Sequence, residues 1–469
     1  MSTQEVAPQN RPATDTATSG AAAKAPAGTG KKSRFSRRGF LKATGAVGLA
    51  AAVGGGGYWA LRRGVKIGIV GCGVRGHSLA HILRMTRPLY HYGQVVAVAD
   101  VDLRQAENLV AKESPIEWPK PEIYQDYRKL LERDDVEAVI VSTPDHWHAG
   151  VALAAIDAGK AVYNEKPLTH QIGEGKKVVA AVEQQGTILQ CGLQQRCDYG
   201  FRTAAELVRN GRLGQLKQVT VTCADKGLEG GPFPAQPVPA GLDWDLWLGP
   251  APLVDYCPER QKNWHEWQEY GGGEITNWGV HHLDIAQWAI GFENSGPTEI
   301  TGRAVMPSIE GGYNEPRQFE VELRYPDGTL LVIKSIPKEN KGVEKSGITF
   351  EGEKGKIYVT RSVYEGPAFA ELASDPLPPD AVRMHAESTP RRGNIAFAHL
   401  YHFLKMVREG ASPISDVVSA HRSATTCNLA NISLLLQRPL KWDQQREDFV
   451  DDAEASALLE RPRRAPYSI

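Results

Sequence analysis

The stretch Val65-Lys66-Ile67-Gly68-Ile69-Val70-Gly71-Cys72-Gly73-Val74-Arg75-Gly76 decides how this chain is read. Its first six residues are a largely apolar, β-branched run that reads as a buried strand. A Gly-x-Gly-x-x-Gly loop follows, and Val74 to Arg84 has a helical pattern. Between a strand and a helix, each glycine has a purpose. Gly71 permits the tight turn, Gly73 lets a pyrophosphate approach the backbone, and Gly76 lets helix pack on strand. The helix start, carrying Val74 and Arg75, turns free N–H groups and its dipole towards phosphate. The stretch therefore predicts a dinucleotide-binding loop; an ordinary glycine-rich turn is the competing reading.

The alternation continues outward. Val95 to Ala99 reads as a strand ending at Asp100, and a helix follows over about 103–112. Val136 to Val141, Ala161 to Tyr163 and Thr187 to Gln190 read as further strands, with helices from Gly150 to Gly159 and from about Gly173 to Gln185 between them. Strands alternating with helices predict a parallel sheet of the Rossmann kind over 64–193. After about Gln195 the rhythm changes to two-faced runs at 216–222, 299–305, 318–324, 329–336, 348–350 and 356–359. Tyr325-Pro326-Asp327-Gly328 is a hairpin cue. Helices are expected near 203–210, 279–289, 396–409 and 421–436. Residues 194–469 are thus expected to form an α+β domain on an open, mainly antiparallel sheet.

Upstream, Ser36-Arg37-Arg38-Gly39-Phe40-Leu41-Lys42 opens an uncharged Gly/Ala-rich run from Ala43 to Leu61. This is the pattern of a twin-arginine export signal. It predicts transport by that machinery, folded, into the periplasm. Ala50-Ala51-Ala52 offers a cleavage site; the alternative is a retained membrane anchor flanked by Arg62 and Arg63. Residues 1–63 are set apart from the folded chain, the first 32 of them as too poor in apolar mass to order. The 469 residues carry 54 Lys and Arg against 55 Asp and Glu, a net charge of -1 that excludes a general electrostatic grip on nucleic acid. Six cysteines without a C-x-x-C pair argue against a structural zinc and read as buried apolar residues, with a disulfide permitted after export.

The polar residues that carry chemistry fall at predicted strand ends, the ligand side of such a sheet. Asp100 is placed to accept hydrogen bonds from the adenosine ribose hydroxyls. A carboxylate there repels a 2′-phosphate, which favours NAD, while nearby Arg104 leaves NADP open. Thr143-Pro144-Asp145-His146-Trp147-His148 follows the fourth strand, with capping, packing or cofactor contact expected of His146 or His148 rather than metal binding. Asn164-Glu165-Lys166-Pro167 ends the fifth strand, where Lys166 can hold a substrate oxygen and stabilise a developing alkoxide. Thr143, Pro144, His146, Glu165 and Lys166 join Gly71, Gly73, Val74, Arg75, Gly76 and Asp100 as candidate cofactor contacts. In the second part, a helix starting near Asn277 puts Asn277 and His281 on one face, with Asp284 one turn on. His281 then reads as a general base. A zinc site of His281, Asp284 and Glu274 is a lesser alternative. Trp264, His265, Trp267, Tyr270 and Arg196 either line a sugar site or serve packing.

Taken in this order, the glycine loop, Asp100, Thr143-Pro144, Glu165-Lys166-Pro167 and the His281 helix resemble the Gfo/Idh/MocA family of two-domain oxidoreductases, which includes glucose–fructose oxidoreductase and inositol dehydrogenase. The resemblance runs from Val65 to Ile469. It extends through Leu242 to Pro250, through Leu440-Lys441-Trp442-Asp443, and through Arg461 to Ile469. It implies a nicotinamide cofactor on the first domain and a sugar, glycoside or polyol substrate at the domain interface. It also implies a homodimer or homotetramer assembled through the open sheet. Lys166 matches the family's catalytic lysine and His281 its catalytic histidine. Lys166, Asn277 and His281, with Arg196, are the expected substrate contacts. One position departs from the pattern: the Asp usual four residues before that histidine is Asn277 here. An Asn orients an imidazole but supplies no negative charge, so Asp284 or a substrate group is expected to support His281.

The leading expectation is alcohol–ketone interconversion by hydride transfer, with a tightly held and recycled cofactor. Such a cycle also permits redox-neutral glycoside cleavage through a keto intermediate. The reading of a different class is a non-catalytic sugar- or nucleotide-binding protein on the same scaffold, motivated by Asn277. Metal-dependent hydrolysis is third.

Overall fold

The computed structural model describes residues 64–85, 92–113, 120–224, 229–336, 345–361, 363–384 and 394–469. The twin-arginine motif, the apolar run after it and the residues Arg62 and Arg63 lie outside the described residues.

Strands β1 (Val65–Val70), β2 (Gly93–Ala99), β3 (Glu122–Tyr124), β4 (Ala138–Val141), β5 (Ala161–Asn164) and β6 (Leu189–Cys191) form one parallel sheet in the order β3-β2-β1-β4-β5-β6. Every residue of β4 and β5 is buried, as expected of central strands covered on both faces. The connecting helices are α1 (Val74–Met85), α2 (Leu103–Glu113), α3 (Tyr127–Leu131), α4 (Asp145–Asp157) and α5 (Ile172–Gln185). The strand order reverses between β1 and β4, so a crevice opens above their C-terminal ends.

The second sheet contains β7 (Leu216–Ala224), β8 (Glu299–Val305), β9 (Arg317–Arg324), β10 (Leu330–Ile336), β11 (Gly347–Gly352), β12 (Gly355–Val359), β13 (Tyr364–Glu365), β14 (Leu440–Asp443) and β15 (Asp448–Phe449), in the order β13-β12-β11-β7-β10-β9-β8-β14-β15. β7 and β10 run parallel; the other pairs are antiparallel. The β9–β10 hairpin turns at Tyr325-Pro326-Asp327-Gly328, where Asp327 Oδ1 accepts from the Thr329 N–H at 2.9 Å. Along β8, Ile300 and Gly302 are buried while Glu299, Thr301, Arg303 and Val305 are exposed, so the strand has a core face and an open face. Helices α6 (Tyr199–Arg209), α7 (Val280–Ile290) and α9 (Val417–Leu436) fill the core face through residues such as Phe201, Leu283, Leu429 and Leu434. Asp416 caps α9 by accepting from the Val418 and Ser419 N–H groups.

Helix α8 (Ile395–Glu409) comes from the second half of the sequence but packs on the first sheet. Its Leu400, Phe403 and Leu404 bury with Val65, Ile67, Val98 and Ile140. The C-terminal tail also reaches back. Arg463 pairs with Glu174, Arg464 Nη1 pairs with Asp245 Oδ1 at 2.5 Å, and the Tyr467 ring lies 5.4 Å from that of Trp147. All six cysteines are buried, and none is in a disulfide.

Candidate functional site

The crevice is a cavity of about 1250 Å³. Its walls come from the ends of β1, β2, β4 and β5, the start of α7 and the segment after β12. At the floor, Gly71 has φ +91, and a Cβ there would lie 2.6 Å from the Ser142 carbonyl carbon. A Cβ on Gly76 would lie 2.2 Å from the Gly71 oxygen. Both positions therefore demand glycine, one for conformation and one for close approach. Ser142 Oγ donates to that same Gly71 oxygen at 2.7 Å and ties the loop to the end of β4.

Asp100 stands at the end of β2. Its carboxylate accepts from the Cys72 N–H at 2.6 Å and the Asp102 N–H at 2.8 Å. Burial pushes this carboxyl up to about 6, against the pull of those two N–H groups. Arg104 does not point freely at the site. Its Nε and Nη2 each donate to Asp102 at 2.7 Å, a bidentate pair.

Asp145 opens α4 deep in the wall. Burial pushes its carboxyl up to about 8, against the attraction of Lys166. Three residues on, His148 spans two loops, its Nδ1 2.7 Å from the Pro167 oxygen and its Nε2 3.0 Å from the Thr143 oxygen. It thereby holds the ends of β4 and β5 in fixed relation. Glu165 pairs with Arg75 at 2.6 Å, which connects the β5 loop to the glycine loop.

Lys166 Nζ donates to the Asn277 backbone oxygen at 2.8 Å and to its side-chain Oδ1 at 3.2 Å. Burial lowers the ammonium from its ordinary value, with Asp145 and Glu165 opposing. Asn277 sits in a π-helical turn, Ile275–Gly279, that leads into α7. Such turns are rare and frequent at functional sites. One turn on, His281 faces the cavity with its Nδ1 buried and unpartnered. Burial and the positive charges of Lys166 and Arg361 hold its imidazole well below the usual value. The result is a neutral ring beside a cation, with its Nδ1 left without any partner.

These walls fit a dinucleotide. The cavity joins the glycine loop, the α1 N-terminus and the Asp100 carboxylate, and the Thr143 hydroxyl is buried there without a hydrogen-bond partner. Residues 65–193 match the model of an oxidoreductase family with an NAD-binding Rossmann fold, and residues 207–469 match the C-terminal alpha/beta domain of that oxidoreductase family. The chain belongs to the Gfo/Idh/MocA oxidoreductases. The two matches correspond to the NAD-binding Rossmann domain and the C-terminal alpha/beta domain of that family. It is 35% identical over 228 residues to the inositol 2-dehydrogenase of Ralstonia nicotianae, a match covering 48% of this chain and 55% of that one. The chain thus spans about half the length of the inositol dehydrogenases it matches. The aldose-aldose oxidoreductase of Caulobacter crescentus, solved with glycerol, superposes with a TM-score of 0.58 at 18% identity, covering 81% of this chain and 100% of that one. The WlbA dehydrogenase of Bordetella pertussis, solved with NADH and UDP-GlcNAcA, gives 0.59 at 17% identity, covering 81% and 99%. Both structural likenesses concern the fold.

Within this Gfo/Idh/MocA chain, the cavity brings together Gly71, Gly73, Val74, Arg75, Asp100, Thr143, Pro144, Glu165, Lys166, Asn277 and His281. Gly76 lies just beneath as the packing glycine. Two further expected contacts are absent from its walls. His146 points the other way on α4, between the rings of Trp247 and Tyr270, and its Nε2 meets the Trp247 oxygen at 3.0 Å. Arg196 is buried in a bidentate pair with Asp284 at 2.6 and 2.9 Å, so it is a core residue and not a substrate contact. The same pair, with Ser423 donating to Asp284 at 2.8 Å, occupies the carboxylate expected to support His281. Asn277 does not orient that ring either, since its Oδ1 faces Lys166. Trp264 and His265 lie on the cavity wall, while Trp267 and Tyr270 belong to an aromatic core. Among the described residues no group of His, Cys, Asp and Glu is arranged to hold a metal ion.

Sequence reasoning missed Arg361 and Gln195. Arg361 lines the cavity after β12, and its Nε donates to Gln195 Oε1 at 3.0 Å. Gln195 in turn donates to the His281 carbonyl oxygen at 3.0 Å. No motif marks Val359-Thr360-Arg361; only the fold brings it to the site.

Proposed function

We propose that this enzyme interconverts a secondary alcohol and a ketone on a sugar or polyol, using NAD. The observation that carries the reading is the meeting of Lys166, Asn277 and His281 in the cavity that also holds the glycine loop. Bound NAD supplies the hydride acceptor for alcohol oxidation. Lys166 donates a hydrogen bond to the reacting oxygen and stabilises negative charge there. The neutral His281 accepts the hydroxyl proton. Asn277, through its two oxygens, holds the Lys166 ammonium in line. The preference for NAD over NADP rests on Asp100 and on the engagement of Arg104 by Asp102. The alcohol of inositol 2-dehydrogenases supports a cyclic polyol or sugar as the substrate class.

The proposal extends to location. The twin-arginine pattern supports export of a folded, cofactor-loaded enzyme to the periplasm, and hence a cofactor recycled without release. Fractionation of cells expressing the wild type or a double Arg37→Lys, Arg38→Lys variant tests this. Pairing of copies through the open face of the second sheet is the matching proposal for assembly, read by light scattering.

A second reading has one observation in its favour. His281 has no carboxylate partner, which suits a sugar-binding protein that no longer turns over. Screening sugars, inositols and glycosides for reduction of bound NAD separates the two. Reduced nicotinamide with any of them supports the oxidoreductase; binding without reduction across the whole panel overturns it.

A further inference from the structure

Arg361 presents a cation to the cavity, and among the described residues no carboxylate forms an ion pair with it. Its guanidinium carbon lies 4.6 Å from the centre of the Trp278 ring, and its Nε is held by Gln195. A flat ring beneath and an amide at one edge fix the fork and leave its two terminal amino groups for a ligand. The charged groups facing it from the other elements are bonded elsewhere, and Asp198 and Glu165 act on it only at a distance. Arg75 from α1 is already matched by Glu165 at 2.6 Å. Lys166 bonds the two Asn277 oxygens, and Asp198 at the start of α6 caps its own helix through the Gly200 and Phe201 N–H groups. Burial and the nearby Arg75 lower the Arg361 guanidinium from its ordinary value, with Asp198 and Glu165 opposing. Phosphates of a dinucleotide belong at the glycine loop and the α1 N-terminus. Arg361 is instead grouped with Trp278, whose ring lies 6.2 Å from that of His281, on the reacting side.

We infer that the substrate alcohol also carries an acidic oxyanion, a carboxylate or a phosphate ester, which the terminal amino groups of Arg361 take in a bidentate pair over Trp278. This rests on the reading of Lys166 and His281 as the alcohol-processing pair. A planar or tetrahedral oxyanion accepts two parallel N–H bonds from such a fork, which adds orientation to affinity. The anchored acid fixes which hydroxyl of a many-hydroxyl ring meets His281.

The test uses the NAD-loaded full chain with glucose, glucuronate and a glucose phosphate as probes. Calorimetry reads binding, and nicotinamide absorbance reads turnover, for wild type, Arg361→Gln and Arg361→Lys. The inference predicts that one acidic probe binds about 10- to 100-fold tighter than glucose. Arg361→Gln collapses that ratio towards one, Arg361→Lys retains part of it, and NAD affinity stays within about twofold for both. Glucuronate and glucose phosphate separate the two kinds of acid. Equal binding of neutral and acidic probes to the wild type overturns the inference, as does a loss of NAD affinity in Arg361→Gln. Turnover of glucose alone leaves the oxidoreductase reading standing while this one falls. Tight, Arg361-dependent binding of an acid without reduction of NAD does the reverse.

Discussion

Replacing Asn277 with Asp probes the site through charge alone, since the two side chains have nearly the same shape. The Asn277 Oδ1 lies 3.2 Å from Lys166 Nζ, and the residue precedes His281 by one turn. A carboxylate at that distance favours the ammonium and the imidazolium alike. An opposite charge this close moves a pKa by about 1 to 3, or about 1.4 to 4 kcal/mol between protonation states. Both groups in the wild type are held below their ordinary values, so both are expected to rise. Oxidation requires His281 neutral and Lys166 charged. The acid limb of the kcat/KM profile reports the first and the alkaline limb the second. Asn277→Asp should therefore move both limbs to higher pH. The assay is nicotinamide reduction across the pH range with the substrate found by screening, alongside NAD binding to confirm an intact fold. Unmoved limbs in a folded, NAD-binding variant would refute the placement of Lys166 and His281 as the titrating pair. Activity that emerges only in Asn277→Asp, from a silent wild type, would favour the binding-protein reading.

Four further outcomes concern the glycine loop, Asp100 and the buried Arg196–Asp284 pair. Gly73→Ala meets no atom within 4 Å, so the fold should keep its stability while NAD affinity drops about tenfold or more, because the new methyl stands where pyrophosphate approaches. Gly71→Ala, at φ +91 and with backbone 2.6 Å away, should lose both NAD binding and about 1–3 kcal/mol of stability; urea midpoints and NAD titration distinguish the two variants. NAD affinity should fall as pH drops through about 6, because protonation of Asp100 removes the anionic acceptor for the ribose hydroxyls, and Asp100→Asn should be weak at every pH. Asp284→Ala leaves Arg196 charged and unpaired in the core, so unfolding should become easier by about 3–5 kcal/mol, read as a lower urea midpoint.

The first sheet was the most legible part, since β1 and β4 are apolar runs bounded by turn residues and Asp100 ends β2 as expected. β3, β13, β14 and β15 escaped because they lack the continuous apolar runs that marked the similarly short β4 and β5; their pairing is decided by neighbours. The helix carrying His146 was placed five residues late, because the polar run from Asp145 to His148 reads as a loop, whereas burial and Pro144 before it start the helix at once. Among the site residues, those on motifs at strand ends were readable. Arg196 was not, because a buried arginine and a ligand-facing one look alike until the partner is known, here Asp284, 88 positions away. The π-helical turn at Ile275–Gly279 has no pattern of its own, yet it carries the Asn277 carbonyl that accepts from Lys166.

The central claim is that Lys166 and His281 act on an alcohol beside bound NAD. It is tested most directly by a single-turnover experiment. NAD-loaded protein is mixed rapidly with the panel of sugars, polyols and their acids, and the reduced nicotinamide is followed optically in wild type and in Lys166→Met. The account predicts a burst of reduced nicotinamide with at least one compound in the wild type. It predicts a burst slower by about 10²- to 10⁴-fold in Lys166→Met, with NAD still bound. A wild type that stays fully oxidised with every compound, or a Lys166→Met burst as fast as the wild type's, would contradict it.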